Sequence, residues 1–184
     1  TKDGEQIGDY WIARDGQKRS ARWSMELLTK TSLAKNVNRY RGAFHSDVLM
    51  AREFRATDAD YKNPLRPLDR GHLVPADNHR LNEATQMATF NLSNVAPQSK
   101  KTNEVLWKKL ESKVQETAIN SDGSIVVTAP AYRPDPNGEI RIRVIGENHV
   151  WVPTHFAKAA LFQNKDKLTA CAWIVPNEDI DGID

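Results

Sequence analysis

The chain has 184 residues, of which 39% are hydrophobic and 27% are charged, so it is long enough for one domain with a sizeable core. No apolar run approaches the roughly 18 residues that a membrane-spanning helix needs. We expect residues 1–184 to form a single domain with peripheral ends, namely about nine N-terminal residues and an acidic C-terminal tail. No signal or transit peptide is visible, and because the sequence begins at Thr1 we expect targeting information to be missing from it.

The net charge of +2 is unevenly distributed along the chain. Residues 14–41 contain eight basic and two acidic side chains, a net charge of +6, whereas residues 178–184 carry −4. A basic N-terminal region is compatible with a polyanionic partner such as nucleic acid. It is equally compatible with an ordinary solvated surface, so charge alone leaves both interpretations open.

The first third of the chain predicts a hairpin and then a long loop. Residues 10–13 and 22–28 have the composition of two antiparallel strands, and Asp15-Gly16 supplies a turn signal between them. Residues 36–66 lack periodicity and contain Asn63-Pro64 and Arg66-Pro67. A loop of this length in a compact domain is usually functional, so we expect it to be ordered near a site.

The remaining chain alternates between helical and strand patterns. Residues 82–90 predict a short helix, and residues 92–98 predict a passage from strand to loop. Residues 102–119 predict a long helix, because four apolar side chains recur at every fourth position: Leu106, Leu110, Val114 and Ala118. Further strands are predicted at 124–129, 140–144, 149–152, 156–162 and 168–175. These elements indicate an α+β fold with a mainly antiparallel central sheet flanked by helices.

Cys171 is the single cysteine of the chain, which excludes an internal disulfide. It lies within the apolar run 168–175, so we expect it to pack in the core of a buried strand.

The stretch Asp69-Arg70-Gly71-His72 carries the strongest chemical signal. An imidazole exchanges protons near neutral pH, and a guanidinium offers a planar fork for phosphate oxygens. Gly71 allows a close backbone approach between them. Apolar residues flank the motif, so we expect it to lie against the core as part of a site that cuts phosphodiesters.

Other polar residues could complete such a site: Arg39, Asn94, Asn103 and Glu111. Asn103, Trp107 and Glu111 are spaced i, i+4, i+8 and are expected to share a helix face. A straight helix separates Asn103 from Glu111 by about 12 Å, so both cannot bind one ion directly. Mg²⁺ keeps most of its waters and takes few protein ligands, so Asn103 could anchor a hydrated ion while His72 acts as base.

Each of these residues also has a structural interpretation. Asn103 could be a helix cap, Trp107 a core residue and Glu111 a solvated helix residue. Asp69 could orient a neighbour by hydrogen bonding or could simply belong to a turn. For the other histidines the sequence suggests no catalytic or metal-binding partners, so we expect them to be structural: His45, His79, His149 and His155.

Asp69-Arg70-Gly71-His72 resembles the DRGH signature of the DNA/RNA non-specific endonucleases, the family of endonuclease G and the Serratia-type nucleases. Residues 54–61 resemble the segment before that motif in endonuclease G-like members. Residues 92–98, followed by Asn103, Trp107 and Leu110-Glu111, are similar to the family's second block. Residues 144–147 and 152–155 resemble a later and less specific block. The four blocks lie in the family's order across residues 22–160.

The resemblance implies a ββα-metal (His-Me finger) fold, with His72 as general base and Asn103 as the one direct ligand of Mg²⁺, for which Mn²⁺ substitutes. Asn94, Arg70 and Glu111 would support phosphate, the water around the ion and the transition state. Arg39 is similar in position to the family's upstream arginine, with Arg41 as a rival. It further implies DNA and RNA as substrates, 5′-phosphate and 3′-hydroxyl ends, and a homodimer whose surface cannot be identified from sequence. The compartment would be secreted, periplasmic or mitochondrial.

One position departs from the Serratia-type pattern. Gln115 stands where those members have an arginine, four residues after the glutamate, and Lys108 and Lys113 are possible substitutes. One alternative is a nucleic-acid-binding module on the same fold with weak or no catalysis. A second is a zinc hydrolase acting on another substrate, but it would need three good ligands, and the chain has neither HExxH nor a histidine pair at ligand spacing.

Overall fold

The largest element of the fold is an antiparallel sheet of six strands. The structure is a computed structural model that describes residues 5–7, 10–62 and 67–178. Its strands, in chain order, are β1 (Glu5–Ile7), β2 (Tyr10–Asp15), β3 (Ser20–Leu28), β4 (Asp69–His72), β5 (Val95–Gln98), β6 (Gly123–Ala131), β7 (Arg143–Ile145), β8 (Val150–Val152), β9 (His155–Asn164) and β10 (Lys167–Pro176). The large sheet has the order β1-β2-β3-β6-β9-β10, and β4-β5 and β7-β8 form separate two-stranded ribbons.

The helices are a short α1 (Glu83–Ala88) and the longer α2 (Lys108–Ile119). A π-helical turn, Thr102–Trp107, leads directly into α2. The Asn82 side chain caps α1 by accepting a hydrogen bond from the Thr85 backbone N–H at 2.9 Å. Among the described residues no helix is both long and apolar enough to span a bilayer.

The core lies between one face of the large sheet and the helix. Val114 and Ala118 of the predicted apolar stripe are buried against inward residues of β3, β6 and β9, including Leu28, Val126 and Phe162. Leu106 and Leu110 are partly buried at the edge of the neighbouring cluster, which contains Trp107. The predicted helical stripe and the predicted hairpin of β2 with β3 are both confirmed.

The β4-β5 ribbon carries the DRGH motif over this core. Asp69 pairs with Gln98, and His72 pairs with Val95. The residues that follow His72 are fully buried, and so are those of β5 facing them: Leu73, Val74, Val95 and Ala96. Burial of these residues fixes the ribbon against the core. The edge of β4 that faces the helix is not paired with any other described strand.

Three sequence predictions differ from the structure. The run 168–175 forms β10, but β10 is the outermost strand of the sheet, and Cys171 is exposed rather than packed in the core. Of the predicted strand 140–144, only Arg143–Ile145 is strand, and Ile140 is 55% exposed. An apolar side chain is buried only when other elements cover it: Val175 and Trp173 of β10 pack on the core, whereas no described element covers Cys171 or Ile140.

The long loop and the ends complete the comparison. The loop is ordered through residue 62, with 3₁₀ turns at Arg52–Phe54 and Asp58–Tyr61. Residues 1–4, 8–9, 63–66 and 179–184 lie outside the described residues, so the predictions for the N-terminal residues and the acidic tail fall largely on undescribed chain.

Candidate active site

A cleft of about 770 Å³ lies between the open edge of β4, the long loop and the helix. Five predicted site residues line it: Arg39, Arg70, His72, Asn103 and Glu111. They come from three separate parts of the chain, and the fold brings them to one concave surface. Asn94 is the predicted site residue that does not line the cleft.

His72 ends β4 with its imidazole between two aromatic rings. Phe44 and Phe90 each lie 5.1 Å from it, centroid to centroid, and Nε2 has no hydrogen-bond partner among the described residues. Burial, together with the positive charge of Arg39, lowers the pKa of His72 to about 3. The imidazole is therefore neutral at physiological pH, which is the state that a general base requires.

Asn103 faces His72's strand from the π-helical turn. Its Nδ2 donates a hydrogen bond to Oδ2 of Asp69 at 2.9 Å, which fixes the orientation of the amide. The amide oxygen is left as the donor atom available to a cation. Asp69 is thus an orienting residue, which decides between the two interpretations that its sequence position left open.

The π-helical turn changes which residues face the cleft. The backbone hydrogen bonds of a π turn join residues five apart instead of four, and here Asn103 lines the cleft with Lys108, whereas Trp107 does not. Trp107 is 1% exposed and belongs to the core. From Lys108 onward the α-helical repeat i, i+3, i+4, i+7 places Glu111, Ser112 and Gln115 along the cleft. The expected common face of Asn103, Trp107 and Glu111 is therefore wrong for Trp107.

Glu111 is half-buried, and its Oε1 has no hydrogen-bond partner among the described residues. Burial raises the pKa of Glu111 to about 7, and Glu26 adds to the rise, while the positive charges of Lys158 and Arg39 oppose it. No cluster of three or more His, Cys, Asp or Glu occurs among the described residues. One amide oxygen and one nearby carboxylate suit a hydrated Mg²⁺-like ion and do not suit tightly held zinc.

Arg70 is fixed by a partner that the sequence did not reveal. Its Nη2 lies 2.5 Å from Oδ1 of Asp58, and its guanidinium carbon lies 5.5 Å and 5.7 Å from the ring centroids of Phe44 and Tyr61. Asp58 opens a 3₁₀ turn after Thr57. Its position, twelve residues before Arg70 on an aperiodic loop, carries no local signal of this contact.

The structure also separates the rival basic residues. Arg39 lines the cleft, whereas Arg41 is exposed outside it. Lys108 lines the cleft, whereas Lys113 lies outside it and pairs with Glu116 at 2.8 Å. Gln115 donates a hydrogen bond to Oδ1 of Asn78 at 2.8 Å, so the position that differs from the Serratia-type pattern is tied to the cleft wall.

Asn94 is fully buried, and its amide is bonded within the protein. Oδ1 accepts from the backbone N–H of Val74 at 3.0 Å, and Nδ2 donates to the carbonyls of Val74 and Thr89 at 3.1 Å and 2.9 Å. The expected support of the phosphate by direct contact is therefore not available to Asn94 in this conformation. It holds the chain immediately after His72 and so acts as a positioning residue.

Comparisons with known proteins agree with this geometry. The family model of the DNA/RNA non-specific endonucleases matches residues 6–183. Mitochondrial endonuclease G of Caenorhabditis elegans is 36% identical over 181 residues, covering 94% of this chain and 58% of that protein. Mitochondrial endonuclease G of Homo sapiens is 33% identical over 177 residues, covering 94% and 59%. The mitochondrial nuclease EXOG of Danio rerio is 32% identical over 179 residues, covering 94% and 52%.

A solved structure shows the same fold. The crystal structure of the EndoG/EndoGI complex, described as revealing the mechanism of EndoG inhibition, contains a chain that superposes with a TM-score of 0.89 at 34% identity. The match covers 97% of this chain and 75% of that one. This chain spans less than two thirds of the length of the three curated relatives above. The chain belongs to the DNA/RNA non-specific endonuclease family.

Proposed function

We propose that this protein is a metal-dependent endonuclease that hydrolyses phosphodiester bonds of DNA and RNA. The observation that carries the proposal is the placement of a neutral His72 and an Asp69-oriented Asn103 on two sides of one cleft. A base without a bound proton and an oriented amide oxygen are the two groups that water activation and cation binding require.

Each residue of the cleft has a role that follows from its side-chain chemistry. His72 removes a proton from the attacking water, whose oxygen bonds to phosphorus while the bond from phosphorus to the 3′ oxygen breaks and that oxygen takes up a proton from solvent. The products are then a 5′-phosphate and a 3′-hydroxyl. Arg70 and Arg39 hold non-bridging phosphate oxygens through charge-assisted hydrogen bonds. Glu111 accepts hydrogen bonds from solvent in the cleft when it is ionised.

Membership of the family implies a divalent cation, and we propose Mg²⁺, with Mn²⁺ as a substitute. Asn103 would hold it through Oδ1. Such an ion stabilises negative charge on the phosphate and on the leaving oxygen. The few oxygen donors available suit an ion that keeps most of its own water.

The substrate range follows from what the cleft offers. Its cationic lining, Arg39, Arg70 and Lys108, is suited to phosphates, and phosphate contacts carry no base sequence. We therefore expect cutting of both single- and double-stranded DNA and of RNA.

The decisive experiment incubates supercoiled plasmid, single-stranded DNA and RNA with the protein and Mg²⁺, with and without EDTA. We expect nicking and then degradation of all three, abolished by EDTA, with a 5′-phosphate on each product. Absence of cutting with Mg²⁺ and with Mn²⁺, together with retained nucleic-acid binding, would establish the non-catalytic binding module instead. Tightly bound zinc in a metal analysis would revive the zinc hydrolase.

Two further parts of the proposal concern assembly and location. A homodimer is proposed from the family resemblance, and light scattering at several protein concentrations tests it. A mitochondrial location is proposed because the relatives named above are mitochondrial nucleases. Fractionation of cells that express the full-length protein tests the location against a secreted or periplasmic one.

A further inference from the structure

A lysine lies at the centre of the sheet face that faces the catalytic helix. β9 turns Phe156, Lys158, Ala160 and Phe162 inward, and Lys158 is 2% exposed. Its partners across β6 and β3 are also polar and buried: Thr128 pairs with Lys158, and Ser24 pairs with Thr128. A row of buried polar side chains therefore crosses this face of the sheet beneath the helix.

We infer that Lys158 is a positioning residue for the proposed hydrolysis, acting as the buried counter-charge that keeps Glu111 a carboxylate at the cleft. The inference rests on the proposed function for its catalytic consequence. It assigns the role to the ammonium group as a charge, acting through Glu111, and not to direct contact with substrate.

The surroundings of the ammonium group support this role. Nζ donates to Oγ1 of Thr128 at 2.6 Å and lies 4.8 Å from the ring centroid of Trp107. No other described residue accepts a hydrogen bond from it. Burying an ammonium group with so few acceptors costs desolvation free energy. Such a group needs compensating negative charge nearby.

Trp107 connects this lysine to the site. It precedes Glu111 by one helical turn, so Lys158 lies under the part of the helix that carries Glu111. The charges that act on Glu111 come from β9 through Lys158, from β3 through Glu26 and from the long loop through Arg39. Burial lowers the pKa of Lys158, and among the described residues Glu111 and Glu26 are the charges that oppose this.

Glu26 is the other candidate for the counter-charge role, and it already has partners. Oε2 of Glu26 accepts from Asn78 Nδ2 at 2.9 Å and lies 3.1 Å from His79 Nε2. Asn78 in turn accepts from Gln115. Oε1 of Glu26 lacks a hydrogen-bond partner just as Oε1 of Glu111 does, but Oε2 of Glu26 is held by two side chains, and among the described residues no such pair holds an oxygen of Glu111. The carboxyl group that depends most on Lys158 is therefore the one in the cleft.

The test replaces the charge while preserving the volume, in the variant Lys158→Met. A ¹³C NMR titration of glutamate carboxyls in the metal-free, nucleic-acid-free protein should show the Glu111 pKa rising by about one unit or more, with Glu111→Gln assigning the signal. The acid limb of kcat/KM should move upward with it, giving a loss of about fivefold at pH 7 that recovers at pH 9. Lys167→Met removes an exposed lysine at the start of β10 and should leave both curves unchanged.

A double variant separates this role from a packing role. Lys158→Met added to Glu111→Gln should cause no further loss of kcat/KM, because the carboxylate through which Lys158 acts is already absent. An unchanged Glu111 titration in Lys158→Met overturns the inference, and so does an equal loss in the Glu111→Gln background.

Two measurements test the inference even if the variant does not fold or the protein does not cut nucleic acid. If Lys158→Met does not fold, ¹⁵N NMR of the wild-type protein between pH 6 and 9 reports the lysine directly. A slowly exchanging ammonium signal supports the inference, whereas a neutral amine at pH 7 overturns it. Because the titrations need no cutting, a wild-type protein without nuclease activity contradicts the proposed function while the Glu111 shift is still measured.

Discussion

Asn103 donates its side-chain N–H to Oδ2 of Asp69 at 2.9 Å, joining the π-helical turn to the first residue of the DRGH motif. In the proposed cation site, this contact would let Asp69 orient the ligand without being a ligand itself. Its carboxylate holds the amide nitrogen and so directs the amide oxygen. Removing a group that orients a ligand in this way typically weakens metal affinity by about 10–100-fold.

Replacing Asp69 with alanine should therefore weaken the apparent affinity for Mg²⁺ by about tenfold, with little loss of rate at saturating Mg²⁺. Asp69→Asn retains an oxygen that can accept from Asn103 and should lie much closer to wild type. Activity measured against Mg²⁺ concentration distinguishes them.

Asn103→Ala should lose activity that added Mg²⁺ does not restore, and full restoration would show that Asn103 is not the main ligand.

Substituting His72 should remove cutting while leaving nucleic-acid affinity largely intact. Loss of a general base typically costs about 10²–10⁴-fold in rate. His72→Phe retains an aromatic ring between Phe44 and Phe90, whereas His72→Ala leaves a gap there. Both variants should be inactive in plasmid nicking and should bind labelled DNA in the presence of EDTA. Near-normal cleavage by His72→Phe would refute the assignment of the base.

The pH dependence of cutting should report Glu111 and not His72. The pKa of His72 is lowered to about 3 by burial, so its proton is already absent at neutral pH. The pKa of Glu111 is raised to about 7, so lowering the pH through 7 protonates the carboxylate and reduces the rate. Profiles of kcat/KM from pH 5 to 9 should show this acid limb in the wild type and lose it in Glu111→Gln. A limb of the same shape in that variant would assign it to another group.

Asp58 should affect substrate binding more than chemistry. Asp58→Ala frees the guanidinium of Arg70 from its 2.5 Å contact, so the arginine is less well placed for phosphate. We expect KM to rise by about 3–10-fold with a smaller change in kcat, since a pre-oriented side chain loses less freedom on binding. Lys62→Ala is the matched control, because it removes the other cation paired with Asp58 from a side chain that is 68% exposed. Equal effects of the two substitutions would argue against a role for Arg70.

Gly146 should be required for stability and not for the chemistry. It has a φ of +66°, and an added Cβ would lie 2.2 Å from Oδ1 and 2.4 Å from the backbone Cα of Asp60. Gly146→Ala should reduce the free energy of unfolding by about 3 kcal/mol, combining backbone strain with overpacking. Gly138 has a φ of +84° with open space around it, so Gly138→Ala should cost about 1 kcal/mol from strain alone. Chemical denaturation measures both, and equal losses would show that contact with Asp60 is unimportant.

Local pattern predicted the parts of the fold that depend on neighbours in sequence. Alternation and a turn signal predicted the β2-β3 hairpin, and four-residue spacing predicted the helix stripe that ends with Val114 and Ala118. Local pattern was misleading for Cys171, because burial of an apolar strand depends on its place in the sheet. Strand order is a property of contacts that are distant in sequence.

The sequence by itself determined the candidate residues for the chemistry, because the DRGH motif and its downstream asparagine and glutamate are recognisable by type and spacing. Tertiary structure alone decided how they are arranged. The π-helical turn moves Trp107 out of the cleft, the long loop brings Asp58 to Arg70, and the sheet places Lys158 under the helix. The DRGH motif, Asn103 and Glu111 reveal themselves by side-chain chemistry within short segments. The roles proposed for Asp58 and Lys158 depend on contacts between residues distant in sequence, which exist only after the chain has folded.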